Sequence, residues 1–485
     1  MTSNTPKDLA RRAFLRRSSQ LALTGSALPF ALNLAAMGEA AAFNSSDYKA
    51  LVCVFLYGGN DYANTVVAYD EASFAKYLQI RGGAPGLIGD GIALAREDLA
   101  ATLLTPTTPL PNGRQYALHP AMTGMADLFN SGKAAVQLNV GPLVAPTTKE
   151  QYFNADRKTY PLPPKLFSHN DQQSLWQSSS PEGSTIGWGG NIGDLAMASN
   201  TNSLFTCISV TGNAVFLSGD VALPYQISTS GAVAVKGVKS NLYNSAAASA
   251  ALRTLVTKSS GDMFENEYAR VTARALAAET QITASLASAN LSTPFPSGNT
   301  LADQMKIVAR LIAARNSLGA KRQVFLVSLG GFDLHDNLMS AHPILLGRVS
   351  TAMTAFYNAT VELGVADKVT AFTASDFGRT LQSNGDGADH GWGSHHFMVG
   401  GAVKGRAFYG VAPPVSIGST SAAEDQWHVG QGRLLPTTSV DQYAATLATW
   451  FGVAPSELPG ILPNLKRFGA AAGRPDYPSN MGFML

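Results

Sequence analysis

Four almost unbroken apolar runs punctuate the chain, at Lys49–Tyr57, Ala134–Val140, Gln323–Leu329 and Lys368–Ala374. Such runs lack the alternation of a half-exposed strand, which predicts strands buried on both faces, as in the interior of a parallel sheet. Between and after them the apolar spacing turns helical, over Leu301–Leu318, Ile344–Leu363 and Val440–Phe451. Buried strands alternating with helices predict a doubly wound α/β chain. Residues 204–240 break the pattern. Short strands at Leu204–Val210 and Ala214–Leu217, split by Gly and Asn, predict a small β insertion there. Residues 241–292, rich in Ala and Ser at a helical period, predict long helices over one face of the sheet.

The first 42 residues belong to a different kind of pattern. Arg11-Arg12-Ala13-Phe14-Leu15-Arg16, then the apolar stretch Leu21–Met37, then Ala40-Ala41-Ala42, have the order of a twin-arginine export signal. This predicts removal of residues 1–42 and a periplasmic or secreted protein. Residues 43–485 are then expected to form a single domain with an insertion at about 204–292. With 45% apolar and 14% charged residues, the chain is suited to a large core and not to global disorder. No apolar run after the signal is long enough to span a bilayer. The signal holds five Lys or Arg and two acids, which leaves 30 basic against 31 acidic residues in the mature chain. That balance speaks against nucleic acid as a partner. Oligomeric state is open at this level. The two cysteines, Cys53 and Cys207, are expected to be buried thiols.

The candidate chemistry follows the strands. Gly58-Gly59-Asn60-Asp61 comes directly after the first run, so Asp61 is either a metal-binding carboxylate or the cap of the next helix. Gly330-Gly331-Phe332-Asp333-Leu334-His335 follows the third, and Asp333 and His335, two positions apart, can point one way in extended backbone. An Asp with a His suits Zn²⁺, Mn²⁺ or Fe. The fourth run leads into Ser375–Phe397, which carries Asp376, Arg379, Asp389, His390, His395 and His396 among glycines. Arg379 is a candidate contact for a substrate anion. Asp389 is a candidate orienter of an imidazole ligand. In a strand only one of His395 and His396 faces a site, and His396 is included in the ligand set. Ser168, in Ser168-His169-Asn170-Asp171, stands at a predicted helix start, where it is either a nucleophile or a cap.

These segments also resemble a family. The twin-arginine start, YGGNDYANTVV, LFSHNDQQ, GGFDLH, SDFGRT, DHGWGSHHF and RLLPTTSVDQYAATLATWFG, in this order, resemble exported proteins of the domain-of-unknown-function 1501 family. That family is similar to the alkaline phosphatase and sulfatase superfamily. The resemblance implies a three-layer α/β/α sandwich, mostly parallel and alkaline phosphatase-like, with metal at the carboxyl edge of the sheet. It implies Asp61, Asp333, His335, Asp376 and His390 as candidate ligands of a divalent ion (Zn, Mn, Ca or Fe), beside the His396 taken from the loop itself. It places Ser168 near the nucleophile's position. Two departures stand out. The Asp/His pair is closer than the superfamily's spacing, and Phe377 replaces the histidine of its SDHG-like motif. The function expected is an exported metal-dependent hydrolase of phosphate or sulfate esters, acting on a small-molecule or polysaccharide ester. The alternative is a non-catalytic periplasmic or surface protein of the same fold that binds polysaccharide or assists assembly of a partner.

Overall fold

The computed structural model describes residues 46–82 and 91–485, so the twin-arginine segment lies outside the described residues. In chain order the strands are β1 (Lys49–Leu56), β2 (Val66–Ala68), β3 (Tyr116–Leu118), β4 (Ala134–Gly141), β5 (Cys207–Ser209), β6 (Tyr225–Gln226), β7 (Arg322–Leu329), β8 (Val369–Ser375), β9 (Arg379–Ser383), β10 (Ala388–His390), β11 (Ser394–Val399), β12 (Phe408–Tyr409) and β13 (Thr438–Ser439). The longer helices are α1 (Glu71–Arg81), α2 (Thr123–Asn130), α3 (His169–Ser178), α4 (Trp188–Ala196), α5 (Ala246–Thr257), α6 (Met263–Ala287), α7 (Thr300–Ala313), α8 (Leu338–Glu362) and α9 (Val440–Phe451).

The central sheet runs β12-β4-β11-β8-β1-β7-β5-β6, with β13 also paired to β4. Strand β1 lies in the middle, parallel to β7 on one side and β8 on the other. Only β11 runs against its neighbours β4 and β8. Strand side chains alternate between two cores. Val52, Val54 and Leu56 of β1 join a core with α2, α7 and α8, while Leu51, Cys53 and Phe55 join one with α4 and α9. That is a three-layer α/β/α sandwich, and it explains the unbroken apolar runs. A strand covered on both sides has no solvent face to keep polar, and each fully buried Val, Leu or Phe contributes about 1.5–3 kcal/mol.

Some elements differ from the sequence expectation. The strand expected at Leu204–Val210 is the shorter β5, which extends the central sheet beside β7. The strand expected at Ala214–Leu217 is instead a single 3-10 turn, Val215–Leu217. Helix α8 begins at Leu338 and runs through Pro343, where the spacing placed the start after that proline. Cys53 and Cys207 are free and buried. Among the described residues, no helix is long and apolar enough to cross a membrane.

Because β1, β7 and β8 are parallel neighbours, the turns after Leu56, Leu329 and Ser375 emerge at one edge. The reversed strand β11 starts at that same edge, so the β9–β10 hairpin before it is delivered there too. The carboxyl edge of parallel strands is where open α/β sheets place their sites.

Candidate metal centre

The turn after β1 has to admit two other loops at close range. Gly58 has φ 116°, and a Cβ on it would fall 2.3 Å from the Asp333 nitrogen. With no side chain there, the Gly58 N–H reaches both carboxylate oxygens of Asp376, each at 3.2 Å. Asp376 is fully buried. Its Oδ2 also accepts from Gln173 Nε2 at 2.9 Å and lies 2.6 Å from His169 Nδ1. His169 and Gln173 are one turn apart on α3, so a single helix face supplies both contacts.

His169 opens a cluster of imidazoles. Its Nε2 lies 3.1 Å from His390 Nε2, and His335 Nε2 lies 2.9 Å from that same atom. The Asp333 carboxylate completes the group, 3.3 Å from His390 Nε2, 3.2 Å from His335 Nε2 and 3.4 Å from His169 Nε2. Each ring is oriented from behind. His169 Nδ1 faces Asp376, His335 Nδ1 faces Asp389 at 3.3 Å, and His390 Nδ1 faces the Phe167 carbonyl at 2.7 Å. Carboxylates and carbonyls only accept hydrogen bonds, so in the neutral rings these Nδ1 atoms carry the protons and every Nε2 presents a lone pair.

Lone pairs 2.9–3.1 Å apart repel unless a cation or a proton lies between them. The donor set therefore fits a divalent ion. His169, Asp333 and His390 each offer a ligand atom within 4.8 Å of the others, and the Nε2 of His335 points to the same place. Imidazoles backed by carboxylates or carbonyls are the usual outer arrangement of such ligands. The group opens to solvent: side-chain exposure is 47% for Asp333 and 44% for His335, against 25% for His390.

Electrostatics follow the geometry. The bond to Asp376 raises the His169 imidazole above its ordinary pKa. Burial lowers that of His390. Burial pushes the Asp333 carboxyl up, but Arg379, His169 and His335 outweigh it and hold it below the usual carboxylate range.

Several residues chosen from the sequence stand elsewhere. Asp61 does not face the imidazoles. Its Oδ1 caps the short helix Tyr62–Thr65 through the Asn64 N–H at 2.8 Å, and its Oδ2 pairs with buried Arg81 at 2.7 Å. Asp376 meets the cluster from behind His169, through Nδ1 and not through the converging Nε2. His396 lies on the other side of β11 from His395. It packs against Trp176 and Tyr443, and burial pushes its pKa down to about 3. Arg379 is fully buried and spends its donors on the carbonyls of Gly58 and Ala388 and on Asp333, at 2.6–2.9 Å. With its whole side chain buried, it offers no exposed edge to a substrate anion. Ser168 donates to Asp171 at 2.9 Å rather than capping α3. Asp389 does back an imidazole, but His335 and not the adjacent His390.

His169 and Gln173 were missed, although Ser168 drew attention to their segment. The available signal was a histidine beside the candidate nucleophile. Nothing in the local spacing shows that the start of α3 meets the ends of β7 and β8.

The model of the family described as "Protein of unknown function (DUF1501)" matches residues 48–431. The chain belongs to the DUF1501 family. No curated protein matches it. Among solved structures, the DUF1501 chain has likenesses to Ps i-CgsB in complex with k-i-k-neocarrahexaose (9% identity, 86% of this chain and 77% of that one, TM-score 0.34). It has another to the lipoteichoic acid synthase LtaP from Listeria monocytogenes (9% identity, 77% and 69%, TM-score 0.30). At these scores neither likeness gives a residue correspondence.

Proposed function

We propose that this protein is an exported, metal-dependent hydrolase of phosphate or sulfate esters, with one divalent ion held by His169, His335, His390 and Asp333. The observation that carries the reading is the convergence of three Nε2 lone pairs and a carboxylate, each ring fixed from behind by an acceptor. A cation held there supplies Lewis-acid chemistry, polarising an ester oxygen and making water more acidic. The protein's own residues do the rest. Asp376 orients His169, and its charge is balanced by N–H groups from Gly58 and Gln173. Arg379 holds Asp333 in place. Ser168 keeps its hydroxyl on Asp171, which favours water over serine as the attacking group.

Elemental analysis of protein exported in its native host, paired with turnover of a panel of phosphate and sulfate esters, tests the proposal. One equivalent of metal and metal-dependent ester hydrolysis are expected. Metal-free protein would mean that a shared proton holds the imidazoles together. Bound metal without turnover across the panel would favour the non-catalytic binding role.

A further inference from the structure

Four arginines of the described chain lie near the sheet edge or its cores in very different states. Arg81 is paired with Asp61, Arg322 with Asp47, and Arg379 with Asp333. Arg433 is the exception. Its Nε donates to the main-chain carbonyl of His390 at 2.8 Å, and its guanidinium lies over the Phe167 ring, 5.3 Å from the centroid. Among the described residues it has no carboxylate partner, and its two Nη groups donate no hydrogen bond.

Both residues that hold this guanidinium belong to the centre. His390 supplies an imidazole, and Phe167 supplies the carbonyl that orients it. Phe167 has φ 72°, a left-handed conformation that a bulky aromatic residue rarely adopts. Such strain persists where the surroundings impose it, and it concentrates at functional sites. Arg433 is half-buried. A guanidinium with Nε anchored and both Nη groups free presents a planar, two-pronged donor edge, the geometry that suits two oxygens of a tetrahedral anion.

We infer that Arg433 is the residue that binds the non-bridging oxygens of a phosphate or sulfate group at this centre, the role that the sequence suggested for Arg379. The inference rests on the proposed metal-dependent reading, but it is tested separately from it.

The test is calorimetric titration of inorganic phosphate and of sulfate into the metal-supplemented full mature chain, its Arg433→Gln variant and its Arg433→Lys variant, with bound metal measured on each. Gln retains a donor for the His390 carbonyl and removes the charge. The expected result is parent-like metal content in both variants, anion affinity about tenfold or more weaker in Arg433→Gln, and partial recovery in Arg433→Lys. Unchanged anion affinity in Arg433→Gln would overturn the inference, as would a parent protein that binds neither anion. Loss of metal in Arg433→Gln would also overturn it, making Arg433 a brace for His390. A parent that holds no metal yet binds phosphate through Arg433 would sink the metal centre and leave this assignment standing.

Discussion

The Phe377 ring stands 4.8 Å from the His169 imidazole, centroid to centroid, tilted by 39°. The same ring lies 4.7 Å from His390, and its other neighbour is Gly59, where a Cβ would come within 2.5 Å of it. A phenyl group thus walls two imidazoles without offering a ligand. Phe377→Ala is expected to lower stability by about 3–5 kcal/mol in denaturant unfolding. Metal affinity should fall with it, because the rings lose their packing wall. Unaltered metal affinity in the folded variant would remove the bracing role.

The imidazole backed by Asp376 and the one backed by Phe167 make separable predictions. His390→Ala should lose stoichiometric metal altogether, because its Nε2 is the atom nearest to those of both His169 and His335. Asp376→Asn keeps all the imidazoles and should weaken metal binding by roughly 10–100-fold, the usual effect of removing a supporting carboxylate. Competition with a chelator of known affinity separates the two outcomes. Equal loss in both would put Asp376 on the metal itself.

Asp61 is the control for the sheet edge. Its partner Arg81 is fully buried, so Asp61→Asn leaves a guanidinium without its counter-charge. A stability loss of about 3–5 kcal/mol is expected, with metal stoichiometry per folded molecule unchanged. Loss of metal from folded Asp61→Asn protein would restore Asp61 as a ligand.

Away from the centre, burial raises the Asp441 carboxyl from 3.8 to about 6. It accepts from the Asn464 N–H at 3.1 Å and the Ser179 hydroxyl at 3.3 Å, contacts that an amide can also satisfy. A carboxyl whose folded pKa is raised stabilises the fold when protonated, and that contribution is lost as pH rises through about 6. Asp441→Asn should therefore stabilise the protein by roughly 1–3 kcal/mol at pH 8 and change it little at pH 4. Chemical unfolding of both proteins at the two pH values is the check. An equal effect at both would show that Asp441 does not titrate in this range.

The sequence by itself determined the layers and the edge. Apolar runs at Lys49–Tyr57, Gln323–Leu329 and Lys368–Ala374 became β1, β7 and β8, because strands covered on both faces must be apolar throughout. The glycine turn after β7 carried Asp333 and His335 to one side, Asp376 follows β8 directly at that side, and the Ser375–Phe397 loop carried His390 there. Only the tertiary structure decided which groups converge. Asp61 and Asp376 both follow strands that lie side by side in the sheet, yet one meets Arg81 and the other His169. Arg379 and Arg433 are alike as residues, and only their neighbours leave one wholly buried and the other half-buried with free donors. His169 arrives from a helix start that no strand pattern announces. Strand burial leaves a local signature in the chain, whereas ligation is a meeting of segments up to 221 residues apart, as between His169 and His390.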